Sequence, residues 1–193
     1  MALATNCLVH LIGLPGVGKL TIARELAGAL PAHLVDNHAI NNLIFPLMHV
    51  NKGKLVGEET WSEIRKIRAV VLNVITALAP REDNYIFTNA LYGSDAGDLA
   101  MAQRVREAIE ARDGTYIPVV LTCAPDEHLA RFTEPTRRER MKMTNKKHYD
   151  SIYAVQEEPL RQNLPHEHEL DVTALTPAEA AAAIKVHVEK VCA

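Results

Sequence analysis

Residues 13–21, Gly-Leu-Pro-Gly-Val-Gly-Lys-Leu-Thr, restrict the possible folds more than any other segment of the chain. The segment follows an apolar, strand-like run, Cys7–Ile12, and opens a helical pattern that begins at Lys19. Glycines let the backbone curl so that several N–H groups point at one anion, and the helix adds the positive end of its dipole. A strand, this turn and a helix, in that order, predict a phosphate-binding loop in an α/β fold.

Lys19 is expected to place a positive charge on the terminal phosphates of a nucleotide, where negative charge shifts during phosphoryl transfer. The predicted nucleotide contacts are Gly13, Gly16, Val17, Gly18, Lys19, Leu20 and Thr21. Many loops of this kind have Ser or Thr directly after the lysine, as a magnesium ligand. Here that place is taken by Leu20, and the hydroxyl comes one residue later. Thr21 is therefore a candidate Mg²⁺ ligand, either directly or through water.

Four more strand-like runs follow, at residues 33–36, 85–90, 116–123 and 168–172. Helical patterns separate them at 19–30, 37–48, 58–79, 98–112 and 126–132, and a last helix follows the capping residue Thr176. Such alternation is typical of a parallel sheet with helices on both faces. We therefore predict an α/β protein with a three-layer α/β/α P-loop NTPase fold and a five-stranded parallel sheet. A length of 193 residues suits one domain, 1–193.

Composition limits the compartment and the partners. The formal net charge of −3 gives no general reason to expect binding to nucleic acid or anionic lipid. No apolar run approaches ~18 residues, and the N-terminus lacks a secretion pattern, so we expect a cytoplasmic protein without a membrane partner. Cys7, Cys123 and Cys192 have no metal-ligand spacing and are interpreted as reduced thiols. Whether the protein is a monomer or a homodimer stays open.

The glycine-rich loop resembles that of nucleoside monophosphate kinases, Gly-x-Pro-Gly-x-Gly-Lys-Gly-Thr. Thr21 matches their threonine, and Leu20 stands where they have glycine. The order of elements is similar to that of small-molecule kinases related to shikimate kinase and chloramphenicol phosphotransferase. This resemblance implies a helical lid and transfer of the γ-phosphoryl group of ATP, with Mg²⁺, to a hydroxyl of a small polar acceptor. The chain lacks the Asp-Gly-x-Pro-Arg segment that nucleoside monophosphate kinases carry after the third strand.

The predicted acceptor-binding segment spans about 37–68 and begins beside Asp36, at the end of the second strand-like run. In the shikimate kinase-like proteins an aspartate there serves magnesium or the acceptor hydroxyl, and the resemblance implies the same for Asp36. Ligands bind beyond the carboxyl ends of parallel strands, so this carboxylate should face the γ-phosphate. Capping of the next helix is its alternative role. His38 and Asn41 are candidate acceptor contacts, with surface positions as their alternatives.

The pattern 58–79 places one cation, Arg68, inside an apolar helical stripe and a second, Arg65, at its edge. A cation among apolar side chains needs a partner. Arg68 is predicted either to pair with a protein carboxylate or to line the acceptor pocket, and Arg65 is the next candidate. Residues 57–61 are similar to the Gly-Glu-x-x-Phe-Arg segment of shikimate kinases. The substrate-binding arginine of those enzymes would fall at Ser62, so it is not carried over.

The third strand-like run leads into Asn89, within Phe-Thr-Asn-Ala-Leu-Tyr-Gly-Ser-Asp at 87–95. Shikimate kinases have three glycines here, and many P-loop proteins have a Walker B aspartate. The absence of both argues against shikimate as the acceptor and puts more weight on Asp36 for the metal. Asn89 is predicted to contact the acceptor or a metal-bound water.

Residues 137–147 hold six basic side chains against one acidic one. In the similar kinases this region, about 133–148 here, is a lid that closes on the phosphates. The resemblance implies a catalytic role for Arg138 and a nucleotide contact for Arg137, whereas a solvated basic helix or an RNA-contacting patch is the alternative. Two other functions stay open: a nucleoside or nucleotide kinase, and a nucleotide-binding regulatory or RNA-binding module with little turnover.

Overall fold

The chain forms one five-stranded sheet that contains β1 (Cys7–Ile12), β2 (Ala32–Asp36), β3 (Asn84–Asn89), β4 (Thr115–Thr122) and β5 (His168–Asp171). The strands are all parallel and lie in the order β2-β3-β1-β4-β5. This computed structural model describes residues 5–48, 56–134, 146–155 and 157–192. The predicted five-stranded parallel sheet is confirmed.

The helices of the described residues are α1 (Lys19–Ala29), α2 (Asn37–Asn41), α3 (Glu58–Ala77), α4 (Ala96–Glu110), α5 (Pro125–Thr133), α6 (Lys146–Ala154) and α7 (Pro177–Val191). One core cluster joins the sheet to α1 and α7, and another joins its opposite face to α3 and α4. The predicted three-layer α/β/α arrangement is therefore confirmed. None of the described helices has the length and apolar character needed to span a bilayer.

Strand β1 is central and buried on both faces, which explains its nearly continuous apolar sequence. Val9 and Leu11 contribute to the core on the α1 side, and Leu8 and Ile12 to the core on the α3 side. Side chains alternate along a strand, so the polar His10 lies on the same face as Leu8 and Ile12. This histidine is fully buried.

Most predicted boundaries are within two residues of the observed ones, and the exceptions have local causes. The helical pattern at 37–48 forms only the short helix α2 followed by turns, since Pro46 removes a backbone donor there. Helix α6 ends at Ala154, after which the chain runs beside the end of β3, where Leu160 donates to the carbonyl of Leu91 at 3.0 Å. The capping box at the start of α7 is present, with Thr176 and Glu179 bonded reciprocally.

Candidate active site

A cavity of about 1120 Å³ opens at the carboxyl ends of β1, β2 and β3, the edge at which parallel sheets bind ligands. Its lining includes these residues predicted from sequence: Gly16, Gly18, Lys19, Leu20, Thr21, Asp36, His38, Asn41, Arg65, Arg68 and Asn89. Gly13 and Val17 do not line it. Val17 is instead buried in the core beside α1, so only its backbone is placed to meet a phosphate.

The loop between β1 and α1 has the backbone conformation that its glycines permit. Gly16 and Gly18 have φ of 105° and 110°, in the left-handed region that favours glycine. A Cβ on Gly16 would also lie 3.1 Å from the ring of Phe132, so α5 packs tightly beneath the loop. No side chain caps α1, and its first turn holds no acidic residue. The N–H groups of this turn and the positive end of the helix dipole are therefore available to an anion.

Lys19 is held at the mouth of this loop. Its Nζ donates to the carbonyl oxygens of Gly13 at 2.7 Å and Leu14 at 2.9 Å. These bonds tie the cation to the loop whose N–H groups would surround a phosphate. The arrangement places a positive charge where the terminal phosphates of a nucleotide would lie.

Asp36 caps α2, the alternative role considered from sequence, and it also lines the cavity. Its Oδ1 accepts from the backbone N–H of His38 at 3.2 Å, which caps α2, and from the hydroxyl of Thr88 at 2.9 Å. Within the described segments no donor binds Oδ2, and the side chain lines the cavity. One oxygen therefore fixes the carboxylate, and the other is left for a ligand.

Magnesium prefers oxygen ligands and keeps several waters, so one carboxylate oxygen, one hydroxyl and substrate phosphates make a suitable set. Asp36 Oδ2 and the exposed Thr21 hydroxyl are the protein oxygens that fit this requirement. Among residues 5–48, 56–134, 146–155 and 157–192, no cluster of three His, Cys, Asp or Glu side chains could hold a metal alone. A metal here would need the nucleotide.

Arg68 lines the cavity, and no carboxylate lies within ion-pair distance of it in the part of the chain that is described. Its guanidinium donates to Asn41 Oδ1 at 2.9 Å and lies 6.0 Å from the Trp61 ring centroid. Its Nε is buried without a hydrogen-bond partner. Burial lowers the pKa of Arg68, and the charge of Asp98 acts in the opposite direction. Two alternatives were predicted for Arg68: a carboxylate partner or a position in the cavity wall. The structure has the second.

The other predicted acceptor contacts on α2 and α3 differ in their exposure and in their partners. Arg65 also lines the cavity, but it forms an exposed ion pair with Glu58 and so brings little net charge. The His38 ring meets Phe45 edge-on at 6.5 Å. Asn41 is buried, and its oxygen is taken by Arg68.

Among the cavity-lining residues that the sequence analysis did not single out, two charged ones, Asp98 and Arg131, have informative contacts. Asp98, in the first turn of α4, accepts from the backbone N–H of Tyr92 at 2.8 Å, and burial raises its pKa. Arg131, in the last turn of α5, donates to the carbonyls of Val17 at 3.3 Å and Val172 at 3.0 Å. An acidic residue soon after a strand of a parallel sheet is a usable signal, because the strand ends there at the ligand edge. No comparable sequence pattern marks Arg131 as a cavity residue.

The basic lid is only partly covered by the structure. Arg137 and Arg138 lie outside the described residues, so their predicted contacts stay predictions. Of the described residues in this region, Lys146 pairs with Asp150 within α6. Helix α6 packs on α5 through Tyr149 and Phe132, next to the phosphate-binding loop.

Solved structures share this fold at low sequence identity. A gluconokinase from Sinorhizobium meliloti 1021 superposes with a TM-score of 0.65 at 12% identity, over 98% of this chain and 95% of its own. Thymidylate kinase from Candida albicans gives 0.60 at 16%, over 98% and 94%. Shikimate kinase from Aquifex aeolicus vf5 gives 0.51 at 15%, over 95% and 97%. No protein-family model matches the chain, and no curated protein sequence matches it. The chain thus has the fold of P-loop kinases.

Proposed function

We propose that the protein is an ATP-dependent phosphotransferase that moves the γ-phosphoryl group to a hydroxyl of a small polar molecule. The observation that carries this proposal is the single cavity that joins the loop of Lys19 to a polar wall formed by Asp36, Asn41 and Arg68. A volume of about 1120 Å³ has room for a nucleotide beside a small acceptor. Several of the solved structures with this fold are kinases, which supports the proposal.

The two ends of the cavity would have different roles in the transfer. The loop N–H groups and Lys19 bind the phosphates and stabilise charge on the leaving β-phosphate. Asp36 Oδ2 accepts the proton of the acceptor hydroxyl as the oxygen bonds to Pγ and the bond from Pγ to the bridging β-phosphate oxygen breaks. With Oδ2 in this role, Thr21 and the nucleotide phosphates would hold the metal, and a metal on Oδ2 is the alternative role of Asp36. Bound Mg²⁺ would supply charge neutralisation between the phosphates. Arg137 and Arg138 are the proposed lid contacts.

Arg68 favours an acceptor that carries an anionic or strongly polar group. A partly buried guanidinium with an unpartnered Nε gains from such a ligand, since its own protein contacts leave hydrogen-bonding capacity unused. The three free cysteines agree with a reducing, cytoplasmic setting, which we propose with the activity.

A nucleoside or nucleotide acceptor is the second candidate function. Trp61 and Phe45 meet edge-on at 5.8 Å, and both line the cavity on the acceptor side. Aromatic rings at a pocket wall are suited to stacking on a base. The two candidates therefore differ in the acceptor and share the nucleotide end.

An ADP-release assay with ATP and Mg²⁺ tests the proposal on a panel of sugar acids, polyols, aminoglycoside-like molecules and nucleosides. We expect one acceptor class to raise ADP release well above the background without acceptor, and Lys19→Ala to abolish the increase. Nucleosides as the active class would select the second candidate. Tight ATP binding with no stimulation by any acceptor would favour the regulatory or RNA-binding alternative and overturn the kinase proposal.

A further inference from the structure

His10 is the polar residue of the central strand, and its burial makes its partners informative. The side chain is 0% exposed and shares a strand face with apolar residues. A buried imidazole is costly unless it is hydrogen-bonded. Both of its nitrogens are bonded: Nδ1 lies 2.7 Å from the Tyr116 hydroxyl, and Nε2 lies 3.0 Å from Asn89 Oδ1.

The chemistry of these partners sets the direction of each hydrogen bond. Asn89 Oδ1 can only accept, so His10 Nε2 carries the proton and Nδ1 accepts from the Tyr116 hydroxyl. The Tyr116 oxygen in turn accepts from Gln162 Nε2 at 2.9 Å. Burial lowers the pKa of His10 to about 4, so the ring is neutral near pH 7 and holds this one proton. All three hydrogen bonds therefore point the same way. Gln162 donates to Tyr116, and Tyr116 donates to His10. His10 in turn donates to Asn89.

The far end of this chain of bonds is a cavity-lining side chain. Asn89 pairs in register with Ile12, directly before the phosphate-binding loop, and its neighbour Thr88 pairs with Asp36. Because Oδ1 is turned toward His10, the amide nitrogen Nδ2 points away from the ring and is the atom placed to face the cavity that Asn89 lines. Nδ2 makes no hydrogen bond to any residue that the structure describes.

With this orientation, the position presents a hydrogen-bond donor to the cavity, where a Walker B acid would present an acceptor oxygen. A Walker B acid presents an anionic oxygen, which attracts a metal ion, whereas an amide N–H attracts an oxygen and cannot ligate a cation. The nearest expected ligand oxygens are those of the phosphate held by the loop. Of the roles considered for Asn89 from sequence, a contact to a metal-bound water through its oxygen is the one that this orientation disfavours, because Oδ1 is turned toward His10.

We propose that Asn89 donates a hydrogen bond to an oxygen of the terminal phosphate of the bound nucleotide, and that His10 is the positioning residue that fixes the amide in this orientation. This inference rests on the proposed function only in requiring a nucleotide in the loop. It does not depend on the acceptor or on turnover.

Nuclear magnetic resonance of the full-length, ¹⁵N-labelled protein tests the orientation directly. We expect His10 to be the Nε2–H tautomer from pH 8 to about pH 5, since its folded-state pKa lies lower. In EDTA, the Asn89 side-chain amide resonances should shift when the β,γ-imido analogue of ATP replaces ADP. An Nδ1–H tautomer, or Asn89 resonances that respond only when Mg²⁺ is added, would overturn the proposal.

Two histidine variants separate positioning from general structural support. His10→Gln places an amide N–H near the former Nε2 and keeps a donor for Asn89, whereas His10→Asn reaches only as far as the former Nδ1. The measured quantity is the affinity for the imido analogue divided by that for ADP, determined by calorimetry in EDTA. Because both affinities come from the same variant, general destabilisation affects both, and their ratio reports on the terminal phosphate.

We expect His10→Asn to lower this ratio about tenfold, as for loss of a hydrogen bond to a charged oxygen, and His10→Gln to stay within about twofold of wild type. Asn89→Asp should lower it further, since it replaces the donor with a negative charge. The control is His187→Gln on α7, at a half-buried histidine outside the cavity lining, and it should leave the ratio unchanged. An unchanged ratio in His10→Asn and Asn89→Asp overturns this inference alone, whereas a wild-type protein that binds neither nucleotide overturns the proposed function as well.

Discussion

At the proposed nucleotide end of the cavity most ligand-facing groups belong to one segment, residues 13–21, whereas at the proposed acceptor end they come from β2, α2, α3, β3 and α4. The nucleotide end is mostly backbone. Its N–H groups are directed by two left-handed glycines and by the first turn of α1. The acceptor end consists of side chains that meet only in the folded protein, such as Arg68 and Asn41, 27 positions apart.

The difference explains why residues 13–21 carry a sequence motif and the acceptor end carries none. Backbone groups bind a phosphate in the same way whatever the neighbouring side chains, so the loop tolerates a buried Leu20 where related loops have glycine. An acceptor pocket made of side chains changes with each substitution. The two ends should therefore respond separately to mutation, and the following predictions test that separation.

The largest effect is expected at the nucleotide end. Lys19→Ala should lower nucleotide-dependent turnover by about 10²–10³-fold, because it removes a positioned charge from the terminal phosphates. The unfolding midpoint should change little, since the hydrogen bonds from Lys19 to Gly13 and Leu14 end on loop carbonyls and not in the core. Turnover measured with saturating acceptor checks the first expectation, and thermal unfolding checks the second. Undiminished turnover would remove the loop from the reaction.

Asp36 stands between the two ends, and we expect an effect of about 10²-fold on kcat for Asp36→Asn. Asparagine keeps an oxygen for Thr88 and for the N–H of His38, so the cap and the fold should persist. ATP affinity measured without Mg²⁺ should be nearly unchanged. The control is Thr88→Val, which removes one support of the carboxylate and should cost less. A variant that loses thermal stability while kcat stays unchanged would leave Asp36 only its capping role.

At the acceptor end, Arg68→Met should raise KM for the acceptor about tenfold and leave KM for ATP unchanged. Methionine retains the aliphatic bulk and the contact with Trp61, while the charge and the hydrogen bond to Asn41 are lost. Steady-state kinetics with each substrate varied in turn separate the two constants. A rise in the KM of ATP instead would mean that the two ends are not independent.

Arg112 provides a contrast to the partly buried Arg68, because it is fully buried and also has no carboxylate partner among the described residues. It lies outside the cavity, and its N–H groups bond to the carbonyls of Ile75 and Pro80 and to Asn6 Oδ1. Arg112→Met leaves these acceptors unsatisfied and should lower the free energy of unfolding by about 2–4 kcal/mol. Arg68→Met should lower it by less than about 1 kcal/mol, since Asn41 can turn to the cavity water. Chemical denaturation of both variants checks this order.

The same contrast shows how far sequence reasoning reached. The sheet and the phosphate-binding loop were predictable because strand periodicity, glycine spacing and capping residues are local signals. The apolar stripe also placed Arg68 inward. Which neighbour meets it was not predictable, since Asn41 approaches through the packing of α2 on α3, a contact without a local pattern. His10 was passed over for a similar reason: its partners lie on β3 and β4, distant in sequence.

The smallest effect is expected for Arg131, a side chain that contacts the nucleotide end from outside residues 13–21. Arg131 joins the loop to the turn after β5, because its guanidinium donates to the carbonyls of Val17, Val172 and Thr173 while its Nε pairs with Glu127. Leu175, in the same turn, lines the cavity, so this arginine links the phosphate-binding loop to a second stretch of the cavity wall.

Arg131→Met should therefore raise KM for ATP about three- to tenfold and leave KM for the acceptor unchanged. The loss is modest because the left-handed glycines and the bonds of Lys19 still hold the loop in its conformation. Arg131→Lys keeps the charge but cannot span several acceptors with one planar group, so it should resemble methionine more than wild type. If lysine restores ATP binding, the contribution of Arg131 is its charge near the phosphates and not the bridge. If neither variant changes KM for ATP, the nucleotide end is organised by its backbone alone, and the contrast with the acceptor end becomes sharper.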